Sequence, residues 1–277
     1  MTQTVMITGA AGGLGQALIS QFIARGDHLV LTDRAGEMAG NAHTAQAELI
    51  DADLCDPADL STLSERLENG EPGIDLLISN AGIGVPGSVI DIDAGLLSKH
   101  IDINLTAPMR LAQAAARGMK KRGSGQIFNI VSLAGLFPLK DSAAYTASKF
   151  GLRGFSAALA LELAPHGIQV GGLYPSAIDT PMLREEMSHP DGSPLNFAGN
   201  AEPLSAEAAA RIVMQALASG DLETWVPRGE GRMAGLVMTF PTLLKPVFGY
   251  FERQGNRKKQ AYLATLGDQK TGGGTLT

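Results

Sequence analysis

Tyr145 and Lys149 stand four residues apart in a stretch, Ser142–Ala164, whose apolar spacing predicts a helix. Both side chains therefore project from one face, one turn apart. A phenol is a poor base near neutrality because its reference pKa is about 10, and an adjacent ammonium favours the phenolate and lowers that value. The pair is a candidate proton donor and acceptor. The spacing alone is moderate evidence, since four Tyr and nine Lys in 277 residues produce it by chance about 0.13 times. Ser132 adds context. It follows the predicted strand Gln126–Val131, and ligands bind beyond the C-terminal ends of strands in open α/β sheets. A hydroxyl there can donate to a substrate oxygen whose carbon is losing or gaining hydride; its plainer role is a strand-end cap. Asn104, opening the helix expected over Asn104–Arg122, has a plainer role as an N-cap.

A second constellation lies at the N-terminus. Thr8-Gly9-Ala10-Ala11-Gly12-Gly13-Leu14-Gly15 joins a predicted strand to a predicted helix. A helix N-terminus offers free N–H groups and a positive dipole end to a phosphate, and side chains at Gly9, Gly13 and Gly15 would obstruct the turn, the pyrophosphate or the helix–sheet packing. Asp33 ends the next strand, 18 residues after Gly15, the separation expected of a carboxylate that accepts from an adenosine ribose. That carboxylate would repel a 2′-phosphate, which favours NAD(H) over NADP(H). Arg34 beside it is read as a solvated loop cation in preference to a phosphate ligand. Asp53-Leu54, after the third strand, admits two readings: a carboxylate by the adenine amino group, or a cap of the turn ahead of Pro57.

These residues must be positioned by a repeating frame. Short apolar runs (Val5–Ile7, His28–Thr32, Ala47–Asp53, Ile74–Ser79, Gln126–Val131, Ile168–Tyr174, Leu222–Val226) alternate with helical patterns (Leu14–Arg25, Pro57–Asn69, Asn104–Arg122, Ser142–Ala164, Leu204–Ser219). Strand–helix alternation of this kind predicts a Rossmann-like α/β fold, a doubly wound parallel sheet with helices on both faces. No Pro/Gly/Ser-rich linker divides the chain. The expectation is one catalytic and dinucleotide-binding domain over 1–227, with a C-terminal helical extension over 228–277 whose last residues, Gly272-Gly273-Gly274 among them, are disordered. Residues 182–203, polar and rich in Pro and Gly, read as a mobile loop.

On the motifs Thr8–Gly15 (TGxxxGxG) and Tyr145-Thr-Ala-Ser-Lys149 (YxxxK), with Ser132 and Asn104 upstream, the chain resembles the short-chain dehydrogenase/reductase family over about residues 4–227. The resemblance implies that Tyr145 is the general acid/base and that Lys149 bonds the nicotinamide ribose and lowers the Tyr145 pKa. It implies further that Ser132 holds the substrate oxygen and Asn104 anchors a water in a proton relay. Asn80-Ala81-Gly82 resembles the family's NNAG, with Ser79 for the first Asn. Pro175-Ser176 resembles its Pro-Gly, and Thr180 its cofactor-contacting threonine. Gly9, Gly13, Leu14, Gly15, Asp33, Asp53, Leu54, Asn80, Ala81, Gly82, Tyr145, Lys149, Pro175 and Thr180 are thus expected to bind the cofactor. The implied activity is hydride transfer between NAD(H) and an apolar secondary alcohol or ketone by a homodimer or homotetramer. The alternatives are an NADPH-dependent 3-oxoacyl-thioester reductase and a non-catalytic dinucleotide-sensing scaffold.

Composition excludes other classes. The 44% hydrophobic and 18% charged content fits a globular protein, and a net charge of −6 argues against a nucleic-acid partner. One cysteine excludes an internal disulfide and fits a reducing compartment; with no basic leader ahead of the first apolar run, the expected location is cytoplasmic. The five His and Cys55 show no metal-ligand spacing, so no metal is expected. His189 reads as a solvated loop residue. Met182, Leu183, Met187, Leu195 and Phe197, in the segment that forms the family's substrate lid, either line an apolar pocket or seat that lid. From Arg228 onward eight Lys/Arg face three Asp/Glu, and residues 233–259 join an apolar run to a basic cluster. Packing on the subunit, its neighbour or the substrate mouth is favoured for this segment over peripheral membrane contact.

Overall fold

The computed structural model describes residues 2–39, 47–197, 202–240, 242 and 244–271. Seven parallel strands form one sheet: β1 (Thr4–Thr8), β2 (His28–Asp33), β3 (Ala47–Asp51), β4 (Leu76–Ser79), β5 (Gly125–Ile130), β6 (Ile168–Pro175) and β9 (Thr224–Val226), in the order β3-β2-β1-β4-β5-β6-β9. The order reverses direction between β1 and β4, which opens a crevice at their C-terminal ends.

Side chains alternate along the strands and, in the central ones, are buried on both faces, as expected of a sheet covered by helices on both sides. Val5, Ile7, Leu29, Leu31, Ile78 and Phe128 meet α1 (Gly13–Arg25) and α7 (Ala206–Ser219) through Leu18, Phe22 and Val213. Met6, Val30, Leu77, Ile127 and Val170 point the other way. They meet α2 (Pro57–Asn69), α4 (Ala107–Arg122) and α5 (Ala143–Leu163) through Leu63, Leu111 and Leu159.

Three expectations change. Asn104 does not open a helix: α3 (Ala94–Ile101) precedes it and runs through a π-helical turn, Asp102–Thr106, into α4. Asp93 caps α3 by accepting from Leu96 N at 3.1 Å. Residues 182–188 are not a loop but most of α6 (Pro181–Ser188), started by Thr180, whose hydroxyl accepts from Leu183 N, with Pro181 at the first helical position. Leu204–Ser205 is not helical but forms β8, which pairs in parallel with β7 (Ile178–Asp179). This small ladder brings together the two ends of the segment that contains α6 and the 3₁₀ turn Pro194–Phe197.

The extension holds α8 (Arg228–Thr239) and α9 (Leu244–Thr271). The glycines expected to be disordered, 272–274, lie outside the described residues, as do 198–201 of the lid segment.

Candidate active site

The crevice between β1 and β4 is held open by backbone geometry. Gly9 has φ +66, and a Cβ there would stand 2.7 Å from Ala81 Cα, so the position excludes a side chain twice over. Thr8 and Asn80 tie the two strand ends: Asn80 Nδ2 donates to the Thr8 and Gly9 carbonyls at 3.0 and 2.9 Å, and the Thr8 hydroxyl accepts from Asn80 N and Ala81 N. Ser79, where the family has Asn, is buried, and its hydroxyl has no hydrogen-bond partner.

The N-terminus of α1 opens into this crevice with no side chain capping it, which leaves the first N–H groups of the helix (Gly13, Leu14, Gly15) available to an anion. A Cβ on Gly13 would crowd Thr180 Cγ2 at 3.1 Å. The glycine turn and the start of α6 therefore face one another, and the cradle fits a pyrophosphate. Asp33 Oδ2 accepts from Ala11 N at 2.9 Å, which fixes its carboxylate beside the turn. Arg34 is exposed and pairs with Glu37 at 2.9 Å. Asp53 joins the site less directly: Oδ1 accepts from Cys55 N in a local turn, while Asp56 caps α2. Leu54 is buried against the sheet. Pro175 ends β6, and the next residue, Ser176, donates its N–H to Val226 O at 2.8 Å.

Beyond β5, the Ser132 side chain lies close enough to Tyr145 to favour its ionised form. Lys149 Nζ is buried, donates to Ile130 O at 3.0 Å and lies 5.7 Å from the Tyr145 ring centre. Asn104 is buried. Its amide pins the chain after β4, accepting from Ile83 N and donating to Ile83 O, both at 2.9 Å, and donating to Ser148 Oγ at 3.2 Å. All four residues proposed for catalysis from the sequence thus border one crevice.

The electrostatics depart from the expectation that Lys149 lowers the Tyr145 pKa. Burial dominates and pushes the phenol up to about 12; the Ser132 side chain pulls against it, and the negative charge of Glu186 adds to it. Burial also pushes Lys149 down to about 8, because a desolvated ammonium is disfavoured. Ahead of any cofactor, the site holds the phenol protonated.

Sequence reasoning passed over two contributors, Glu186 and Asn196. Glu186, on α6, faces Gly84 across from the Tyr145 ring edge. It accepts from Asn196 Nδ2 at 2.6 Å, and its carboxyl is pushed up to about 7 by burial, against the Asn196 hydrogen bond and the Lys259 charge. Asn196 also lines a cleft of about 670 Å³, including its open mouth. Ser132, Ser176, Leu133, Phe137 and Leu139 line that cleft. The extension contributes Glu230, Met233, Ala234, Val237 and Phe251 to the same lining. No sequence signal at Glu186 marks it; the Thr180-Pro181 helix start was readable. His189 is exposed and its ring accepts from Asp191 N. Leu183 and Met187 seat the lid against Ala177, Tyr262 and Leu263; the side chains of Leu195 and Phe197 lie outside the described residues. Among the described residues no cluster of potential metal ligands occurs.

Residues 3–191 match the short chain dehydrogenase family. The chain is 32% identical over 186 residues to a Mycobacterium tuberculosis protein named 3-alpha-(or 20-beta)-hydroxysteroid dehydrogenase, covering 65% of this chain and 70% of that one. Among solved structures it resembles a short-chain dehydrogenase from Sphingobium yanoikuyae in complex with NADPH. That pair has 29% identity and a TM-score of 0.74, over 88% of this chain and 95% of the other. It also resembles the bulky-bulky ketone specific alcohol dehydrogenase from Comamonas testosteroni, at 28% identity and a TM-score of 0.72, over 88% and 94%. Motifs, sheet order and relatives agree: the chain belongs to the short-chain dehydrogenase/reductase family and is an NAD(P)-dependent oxidoreductase.

Proposed function

We propose that the protein interconverts an apolar secondary alcohol and its ketone, with NAD(H) as the preferred dinucleotide and Tyr145 as general acid/base. The observation that carries this reading is Ser132, with Tyr145 close by, on a cleft whose lining is largely aliphatic and aromatic apart from Ser176, Asn196 and Glu230. The bound nicotinamide ring supplies or accepts the hydride. Ser132 holds the substrate oxygen, and Tyr145, kept protonated by burial, delivers its proton to that oxygen as the carbonyl is reduced. In oxidation Tyr145 takes the hydroxyl proton. Lys149 is placed to bond the nicotinamide ribose, and its charge, held up to about pH 8, stabilises the phenolate. Asn104 holds the loop after β4 and is placed to anchor a relay water.

Two observations support NAD(H): the Asp33 carboxylate stands beside the glycine turn, and the nearest cation, Arg34, is turned to Glu37. The hydroxysteroid and bulky-ketone relatives support a large, apolar substrate. We place the protein, on the same reading, as a cytoplasmic homo-oligomer with its catalytic centre within 1–227.

A graded ketone series, from short polar to steroid-sized, assayed by NADH absorbance tests the reading. We expect turnover to rise with apolar size, and Tyr145→Phe to lower kcat by about 10²–10⁴-fold with dinucleotide affinity retained. Full activity in Tyr145→Phe overturns the mechanism. Strong NADPH preference overturns the role of Asp33 and favours the thioester reductase. No turnover of any ketone or alcohol favours a sensing scaffold.

A further inference from the structure

The extension has two faces, and the cleft uses only one. On α8 the inner residues Met233, Ala234 and Val237 line the cleft, and Ala234 packs with Val131 and Tyr174. The outer residues Leu236 and Phe240 are 66% and 56% exposed. On α9, Phe251 turns inward to meet Phe137 edge-on at 6.5 Å, while Tyr250 beside it is 62% exposed. The outer faces of both helices thus carry exposed apolar residues.

Cations accompany them. Between Arg232 and Glu252 the only charged residue is Lys245, a run of nineteen residues with one charge. Each helix also carries exposed cations, Arg228 and Arg232 on α8 and Arg253 and Arg257 on α9. Two carboxylates on these helices are directed elsewhere. Glu230 lines the cleft, and Glu252 pairs with Lys140 at 2.9 Å. In a chain of net charge −6, this end carries an excess of cations, eight against three from Arg228 onward.

Exposed apolar residues together with arginines match a surface of apolar chains bordered by anionic headgroups, and a helix lying in that plane places its apolar face at the headgroup boundary. No helix among the described residues is long and apolar enough to cross a membrane, so the contact is interfacial. We infer that the outer faces of α8 and α9, which carry Leu236, Phe240 and Tyr250 together with Arg228, Arg232, Arg253 and Arg257, dock on an anionic lipid surface. The inner face of the same helices walls the cleft. Docking thus sets the mouth of an apolar site beside the phase in which an apolar alcohol or ketone dissolves; this consequence rests on the proposed function, whereas the docking itself does not.

The test is co-sedimentation of the full chain with vesicles of phosphatidylcholine alone or with phosphatidylserine added, at low and high salt, alongside light scattering without lipid. We expect the protein to pellet with the anionic vesicles and to be released by salt. Arg253→Gln/Arg257→Gln should weaken vesicle binding by roughly thirty-fold, at about five-fold per cation. Leu236→Asp/Phe240→Asp should abolish it while dinucleotide affinity and thermal midpoint stay at wild-type values. The exposed arginine pair guards against loss of binding through misfolding, since its replacement disturbs no packing. A wild-type chain that stays in the supernatant with both vesicles overturns the proposal. So does retained binding by both double variants. If Leu236→Asp/Phe240→Asp splits an oligomer and leaves vesicle binding unchanged, the face joins copies of this chain and the lipid assignment fails. Each readout is independent of turnover, so failure here is distinguishable from failure of the proposed reaction.

Discussion

Tyr145 sits among neighbours that pull its proton in different directions. Burial holds it on, the Ser132 hydroxyl loosens it, and Glu186 tightens it again once ionised. Glu186 ionises at about 7, far above a free carboxyl, so its influence switches within the working range. Below that value it is neutral and leaves Tyr145 alone; above it, the negative charge opposes loss of the phenol proton. Glu186→Gln should therefore shift the rising limb of the alcohol-oxidation pH profile to lower pH, as measured by kcat/KM from pH 6 to 10, and leave ketone reduction below pH 6 unchanged. Lys149 adds the opposite limb. As pH rises through about 8 it loses its proton, so the ammonium proposed to bond the nicotinamide ribose is present below that value and is lost above it. The sequence revealed Tyr145, Lys149 and Ser132 because their spacing lies within one helix or at one strand end. Glu186 and Asn196 could not be read in the same way. They enter the site only because α6 folds over it, a tertiary event with no local signature.

At the scale of elements, the seven strands of the main sheet were legible, most readily where residues buried on both faces make nearly continuous apolar runs, as in Leu76–Ser79, whereas the two-residue strands β7 and β8 were not. The longest helical stretch was misread at its start. Asp93 caps α3, and Lys99 and His100 sit in its last turn, yet the π-helical turn interrupts the 3.6-residue period that would have joined α3 to α4. That turn is where Asn104 sits, and its amide alone satisfies both backbone groups of Ile83. Asn104→Ala should cost about 1–3 kcal/mol in chemical unfolding, the range for stranding buried partners, and should raise the KM for the dinucleotide. At the opposite side of the crevice, Gly9→Ala meets both a positive φ and the Ala81 backbone. It should destabilise by about 1–3 kcal/mol and weaken dinucleotide binding in a fluorescence titration.

The whole molecule is closed by its last helix. Lys259 Nζ donates to the Gly192 carbonyl at 2.6 Å, and Tyr262 Oη donates to Asp179 at 3.0 Å, where Arg184 also binds. Leu183 and Met187 complete the seat through Tyr262 and Leu263. Lys259→Met/Tyr262→Phe should speed amide hydrogen exchange in α6 by about ten-fold or more while β1, β4 and β5 exchange as before; uniform acceleration would show instead that the helix supports the entire fold. The basic, apolar character of 228–277 was visible in the sequence, but its two-faced use was not, because inward and outward residues separate only once both helices are seated.

The β7–β8 ladder has a consequence for descent. It joins Ile178 to Leu204, so the two ends of the intervening segment are neighbours whatever lies between them. Lengthening a closed loop costs only about 0.6 kcal/mol per doubling. The segment can therefore be exchanged or extended during evolution with little penalty to the seven-stranded sheet, and new substrate preferences can arise there while the proton-transfer residues on β5 and α5 stay in register.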